Sequence, residues 1–365
     1  MSRFFGTLTV LLVFAAGVVK AQGEPRPLGG LPSLGEKLEP AQVDLGRQLF
    51  FDPRLSGDAT ISCATCHSPD HGWADGLALS RGYPGTRYFR NTPTVVNAAL
   101  GRLMYWDGRL PASDLPTVVR DHISEAHFLQ ADGRLVIERM RQVPEYERQF
   151  NDAFGGEPTY GRILNSVAAF VSSLTSQGVP FDKFLAGDEA AISDEAKQGL
   201  ELFKGKAGCI QCHDGAMLSD GKFHSLGLNA NPEIFKDPLR HITFRRFFRT
   251  LGVPDYALMR QDAGLYCVTK VKHDRELVRT PTLREVSRTA PYMHDGQLPT
   301  LEAVVSFYNS GGGPRASKDE RLKPLGLSED EQSALVEFLK TLSGKPIEVT
   351  RPKLPAYQLR KLGDN

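Results

Sequence analysis

The chain has 365 residues, 41% of them apolar, 24% charged and 9% aromatic, enough for two domains of ordinary size. Its 44 Lys and Arg residues against 43 Asp and Glu leave a formal charge of +1. That balance lacks the basic excess with which proteins engage nucleic acid, so no nucleic-acid partner is expected.

The first element is a leader rather than part of a fold. Arg3 precedes the apolar run GTLTVLLVFAAGVV (6–19), and VKA closes at Ala21 with a small residue. A positive start, a short apolar middle and a small residue at the cut describe a secretory signal. About 14 apolar residues fall short of the ~20 needed to span a bilayer. Residues 1–21 are therefore expected to be cleaved near Ala21 on export to the periplasm. Loss of Arg3 and Lys20 leaves 42 basic against 43 acidic residues, a net charge of −1. No later stretch is apolar enough to span, so no membrane span is expected after cleavage.

SCATCH follows at 62–67, and a second run of the same form, GCIQCH, occupies 208–213. In an exported chain cysteines ordinarily pair as disulfides. A His directly after Cys-x-x-Cys is instead the attachment signature of a c-type haem, with two thioethers and the adjacent imidazole as axial iron ligand. A redox dithiol or a zinc knuckle has no need of that His, still less twice. Cys63, Cys66 and His67 are read as the site of haem 1, and Cys209, Cys212 and His213 as that of haem 2, both haems c held covalently. Cys267 is left without a partner and is read as a small buried residue.

The other elements recur in the same order. LGRQLF (45–50) before the first motif matches QGLELF (198–203) before the second, and both read as the entrance helix of a cytochrome c module. NTPTVVNAALGRLMYWDGRLP (91–111) parallels RTPTLREVSRTAPYMHDGQLP (279–299) at a constant offset of 188. NSVAAFVSSLTS (165–176) parallels SALVEFLKTLSG (333–344) as a closing helix. The latter opens on Ser328 and Glu331 as a capping box, and Leu335, Phe338, Leu339 and Leu342 form one apolar stripe. Strand signals are weak, and Gly and Pro interrupt the chain often. The expected fold is all-α with few or no strands: two cytochrome c-like haem domains, 22–180 and 181–365, joined near SQGVPFDKFLAGD (176–188).

Taken in order, SCATCH, RNTPT, YWDGR, GCIQCH, RTPTLR, PYMHDG and FYN resemble the bacterial dihaem cytochrome c peroxidase family, including its MauG branch, over roughly residues 40–345. The resemblance implies that one haem meets hydrogen peroxide and the other serves as its electron partner. It places Trp106 between the haems, as an indole that carries charge by transient oxidation; by itself, a lone Trp reads as a core aromatic. It places calcium at Asn91, Thr289 and Pro291, through one amide oxygen and two backbone carbonyls, donors that this cation prefers. Peroxidases proper supply a Met to the far side of haem 2. Here TLEAVVSFYNSGGG (300–313) brings Tyr308 to that position, as in MauG-like proteins, with Met293 and His294 as competing ligands. A phenolate is a hard, anionic donor that stabilises oxidised iron.

Haem 1 departs from the family pattern. The loop histidine that blocks the resting peroxidases aligns with Tyr83 in SRGYPG, and the distal Glu falls near 127–128, where ISEAHFLQ (123–130) offers His127 and Phe128. The internal repeat, at an offset of 186, matches Tyr308 with His122. His122 and His127 compete for the distal side as acid–base groups, His122 also as an iron ligand that closes the haem, and Glu125 is a third candidate. Ala207 stands where the MauG pattern has a Trp near the partner surface. In the insert LRHITFRRFFR (239–249), Arg240, Arg245, Arg246 and Arg249 form a solvated or propionate-pairing face, or a docking face for an acidic partner. The favoured reading is a periplasmic MauG-like oxidoreductase that uses hydrogen peroxide to oxidise a protein residue or another reductant, as in methylamine-utilisation quinone biogenesis. The alternatives are a cytochrome c peroxidase fed by a small redox protein, and a non-enzymatic dihaem electron carrier.

Overall fold

A computed structural model describes residues 24–358 with the exception of Glu36, so the leader over 1–21 lies outside the described residues. The first half opens with α1 (Pro40–Phe51), whose leading proline removes an amide that has no partner in the first turn anyway. The first haem motif forms the single turn α2 (Cys63–Cys66). A hairpin of β1 (Leu103–Met104) and β2 (Leu110–Pro111) follows, then α3 (Leu115–Ser124), α4 (Gly133–Arg141), α5 (Pro144–Phe154) and α6 (Tyr160–Ser173). The second half runs α7 (Pro180–Leu185), α8 (Asp194–Lys204), β3 (Phe223–His224), α9 (Glu233–Lys236), α10 (Pro238–Thr250), α11 (Tyr266–Thr269), β4 (Val278–Arg279), α12 (Leu301–Asn309) and α13 (Glu329–Lys340). The fold is mostly helical. The strands pair antiparallel as β1 with β2 and β3 with β4.

Each half is built on one close helix crossing. In the first, α1 meets α6 at Gly46, where an added Cβ would stand 1.8 Å from the carbonyl oxygen of Ser166. In the second, α8 meets α13 at Gly199, where a Cβ would stand 1.9 Å from the oxygen of Ala334. Only glycine permits backbones to approach so closely. Around these crossings lie two apolar cores, one including Leu49, Phe50, Trp73, Val167 and Phe170, the other Leu200, Phe203, Leu335, Phe338 and Leu342. The capping box of Ser328 and Glu331 closes the N-terminus of α13.

The repeat in the sequence becomes an approximate two-fold exchange in space. Met104 pairs with Leu110 across the first hairpin, and the residues 188 further on, Tyr292 and Leu298, form the corresponding bridge. At the tips, the amide of Asn91 donates to the carbonyl of His294 (2.8 Å), while the amide of Arg279 donates to the carbonyl of Trp106 (2.9 Å). Asn91 and Arg279 are repeat mates, as are Trp106 and His294, so the halves trade the same hydrogen bond in both directions.

The chain ends cross over as well. Arg26 pairs with Asp214 and Leu28 packs on the second core, while Ile347 and Val349 pack on the first. Residues 26–28 and 347–349, expected with their neighbours in sequence, thus strap the opposite halves. A third core joins the two: Phe244, Phe247 and Phe248 of α10 pack with Leu79, Tyr88 and Phe89 of the first half. Cys267 is 3% exposed within that core, and burial pushes its thiol up to about 12, so it is a packed apolar group.

Candidate haem-binding active site

The two haem motifs adopt one local geometry. The His67 amide donates to the Cys63 carbonyl and the His213 amide to the Cys209 carbonyl, each at 2.9 Å, which curls every Cys-x-x-Cys-His run into a single turn. Each imidazole is then held from behind: His67 Nδ1 lies 3.2 Å from the carbonyl of Trp73, and His213 Nδ1 lies 2.9 Å from that of Leu218. An Nδ1–H bonded to a carbonyl leaves Nε2 as the lone-pair nitrogen, the arrangement of an axial iron ligand. Burial pushes the thiols up, Cys63 to about 12, Cys66 to about 11 and Cys209 to about 12.

Above the first motif opens a cleft of about 1190 Å³, its mouth included. Cys63, Cys66 and His67 form one wall; Phe50, Val95, Leu115, Val119, Val167 and Val171 make the rest largely apolar. A flat apolar macrocycle with an iron at its centre fits this lining: greasy walls for the ring, two sulfurs at one edge and an imidazole beneath.

The distal candidates separate cleanly. His122, on the last turn of α3, lines the cleft, and its ring centre lies 6.2 Å from that of His67. Its Nδ1 is 2.8 Å from the Val118 carbonyl and 3.1 Å from the Tyr105 hydroxyl. Burial, and then the neighbouring His67, push His122 down to about 4, so it is a neutral imidazole. Phe128 stacks on it at 4.4 Å. His127 instead stacks on Tyr88 at 4.9 Å, with Nε2 2.9 Å from Glu125 Oε2, close enough for an ion pair but off the line of a hydrogen bond. Glu125 also faces Arg109 at 3.4 Å; burial alone would raise its carboxyl, but His127 and Arg109 outweigh that and hold it low. Tyr83 is drawn to Asp58, away from the cleft wall.

Trp106 sits at the tip of the hairpin, 9% exposed, on the cleft wall and at the junction of the halves. Its Nε1 donates to the Asn91 carbonyl at 2.9 Å, and its ring meets His294 edge-on at 6.4 Å. His294 therefore belongs to the junction with Trp106. Asn91 uses its amide nitrogen on the Leu77 carbonyl (2.9 Å) and its backbone amide on the His294 carbonyl (2.8 Å). In the second half Tyr308 lies on α12; burial first, then the neighbouring Cys209 and Cys212, raise its phenol well above its ordinary value.

Three features were not anticipated from the sequence. Arg90, 1% exposed, forks onto Asp262 at 2.6 and 2.8 Å and reaches Asp107 at 2.6 Å, which ties the YWDGR turn to the insert. His224 bridges Asp220 (2.9 Å) and Asp319 (3.0 Å) beside Cys212. Arg240 turns inward to the Ser80 carbonyl at 3.1 Å, whereas Arg246 and Arg249 are exposed, so the arginine run is divided between two roles. Ala207 is buried in the second core. The repeat itself was the available signal for Arg90, because it adjoins Asn91 in the exchanged motif.

Residues 40–190 match the sequence profile of the family described as di-haem cytochrome c peroxidase. The chain is 48% identical over 362 residues to the cytochrome-c peroxidase IdrP2 of Pseudomonas sp. (strain SCT), covering 98% of this chain and 96% of that one. The chain belongs to the di-haem cytochrome c peroxidase family. It is also 39% identical to the methylamine utilization protein MauG of Methylorubrum extorquens, covering 87% of this chain and 82% of the relative. Its fold matches the crystal structure of a MauG-like protein associated with microbial copper homeostasis, with a TM-score of 0.72, 26% identity, and coverage of 89% and 95%.

Membership in the di-haem peroxidase family makes the protein a di-haem oxidoreductase with two haem groups, and the paired Cys-x-x-Cys-His turns are where this chain would hold them. The comparisons weigh against the favoured reading of the sequence: peroxide reduction is better supported than a role in cofactor biogenesis. Among the described residues, no helix is long and apolar enough to cross a membrane.

Proposed function

We propose that this protein reduces hydrogen peroxide at haem 1 with electrons that enter at haem 2 from a small redox protein, in the periplasm after removal of residues 1–21. The observation that carries the proposal is the near full-length likeness to a protein named a cytochrome-c peroxidase. Hydrogen peroxide takes up two electrons and two protons and yields two waters. Haem supplies the redox-active iron at which the O–O bond is reduced. Cys63 and Cys66 would hold haem 1 through thioethers, with His67 as an iron ligand; Cys209 and Cys212 would hold haem 2, with His213 and Tyr308 as iron ligands. Trp106, fixed by its bond to Asn91, relays electrons between them. Asn91, Thr289 and Pro291 hold calcium beside that relay.

Purified protein should carry two covalently bound haems by mass spectrometry. In steady state it should oxidise two equivalents of a reduced small c-type cytochrome or copper protein per peroxide consumed. Peroxide consumption that never draws on such a donor would overturn this reading. Chelation of calcium should slow electron passage between the haems in single-turnover experiments, and added calcium should restore it.

A second reading is favoured by Tyr308, because a phenolate suits an iron that shares in storing oxidising equivalents. On that reading the all-ferric protein reacts with peroxide without any donor and then oxidises a residue of a partner protein. Donor-free addition of peroxide, followed optically, separates the two.

A further inference from the structure

We infer that His122 is the second axial ligand of the haem 1 iron in the resting protein, so that peroxide reaches this iron only after the imidazole leaves. The consequence for peroxide rests on the peroxidase reading; the ligation itself rests on geometry. A metal–imidazole nitrogen bond is about 2 Å and a ring centre lies about 1.1 Å behind its nitrogen, so two imidazoles on opposite faces of one iron have centres about 6.2 Å apart. The His67 and His122 centres are 6.2 Å apart, with their planes inclined at 58°. An acid–base histidine must leave room for peroxide and reach it through a hydrogen bond of ~2.8 Å, which would set it about 2 Å or more farther away.

The tautomer agrees. His122 Nδ1 faces the Val118 carbonyl and the Tyr105 hydroxyl at 2.8 and 3.1 Å, which leaves Nε2 with its lone pair for the metal, as on His67. The ring cannot swing freely, because Tyr105 and Phe128 both stack on it, at 5.3 and 4.4 Å and within 12° of parallel.

The repeat supplies an independent argument. His122 is the eighth residue of α3 and Tyr308 the eighth of α12, and the two helices are capped at equivalent positions, by Asp114 on the Thr117 amide and by Thr300 on the Ala303 amide. The same helix in each half therefore presents a ligand-bearing side chain to its haem. In this chain the block on haem 1 comes from a helix of the haem domain, in place of the missing loop histidine.

The test is the electron paramagnetic resonance spectrum of the all-ferric, fully haem-loaded protein. Both haems should be low-spin, and cyanide should bind slowly. In His122→Ala, one haem's worth of axial high-spin ferric signal should appear, cyanide binding should accelerate at least tenfold, and free imidazole should restore the low-spin spectrum. Two high-spin haems in the wild type overturn the inference without need of any variant, as does a His122→Ala spectrum with no more high-spin signal than the wild type. Failure of peroxide turnover in both proteins would instead count against the peroxidase reading and leave the ligation standing.

Discussion

As the proposed ligand of haem 2, Tyr308 would set the character of that haem. A thioether ligand favours reduced iron and raises its potential, whereas a buried oxygen donor favours the oxidised state. Burial first, and then the neighbouring Cys209 and Cys212, keep the Tyr308 phenol protonated unless a metal claims the oxygen. Replacement by Met should therefore raise the haem 2 potential by roughly 100 mV or more, within the ~0.8 V over which axial ligands tune haem. Spectroelectrochemical titration of Tyr308→Met reads this directly, and an unshifted potential would remove Tyr308 from the iron. The proposed relay residue is tested differently. Trp106→Phe keeps the aromatic volume but loses the donor to Asn91 and the easily oxidised indole. Both haem spectra should stay as in wild type while electron transfer between them, followed by stopped flow, slows at least tenfold. Equal rates would leave the indole a packing role.

At the level of the elements, the closest contacts are helix crossings on glycine. A methyl group at Gly199 would meet the backbone oxygen of Ala334 at 1.9 Å, and backbone cannot rotate away as a side chain can. Gly199→Ala should destabilise the second half by about 1–3 kcal/mol or more. Gly161, in the first turn of α6, has nothing within 4 Å of its added Cβ. Gly161→Ala should be neutral or stabilising by up to about 1 kcal/mol, because alanine loses less freedom on folding. Chemical denaturation of the two variants should give opposite signs; the same sign for both would show that the crossings are slack. The capping box at Ser328 and the proline at the start of α1 explain where these helices begin, but the glycines determine how they pack.

Over the whole molecule, the halves are joined by a charged clamp as much as by apolar surface. Burial alone would raise the carboxyls of Asp107 and Asp262, but the Arg90 guanidinium outweighs it and holds both below the ordinary carboxylate range; Arg109 adds to this at Asp107 and His294 at Asp262. Groups with depressed folded pKa values contribute stability above their unfolded values of about 3.9, and lose it as pH falls through the folded ones. Arg90→Met should leave the buried Asp262 carboxylate without its arginine and Asp107 with Arg109 alone, and cost about 3–5 kcal/mol near neutral pH. The difference from wild type should shrink below about pH 4, where those carboxyls accept protons in the variant. Thermal melts across that pH range check both magnitude and sign, and a difference independent of pH would assign the loss to packing.

The sequence by itself determined what depends on neighbours along the chain. Cys63 to His67 and Cys209 to His213 form their turns from residues within five positions of one another, and the offset of 188 already announced two like halves. The capping box at Ser328 is equally local. The tertiary structure decided what depends on helix phase and on contact between halves. His122 lies on α3 in phase with Val118 and Val119, so it faces the cleft, whereas Glu125 and His127 lie beyond the last helical turn, where spacing no longer fixes direction. They turn to Arg109 and Tyr88 instead. The exchange of Asn91 with His294 and of Arg279 with Trp106, the Arg90 clamp and the crossed chain ends join residues up to about 300 positions apart. No local pattern encodes such pairings, because each is selected by the burial it permits once both halves are folded.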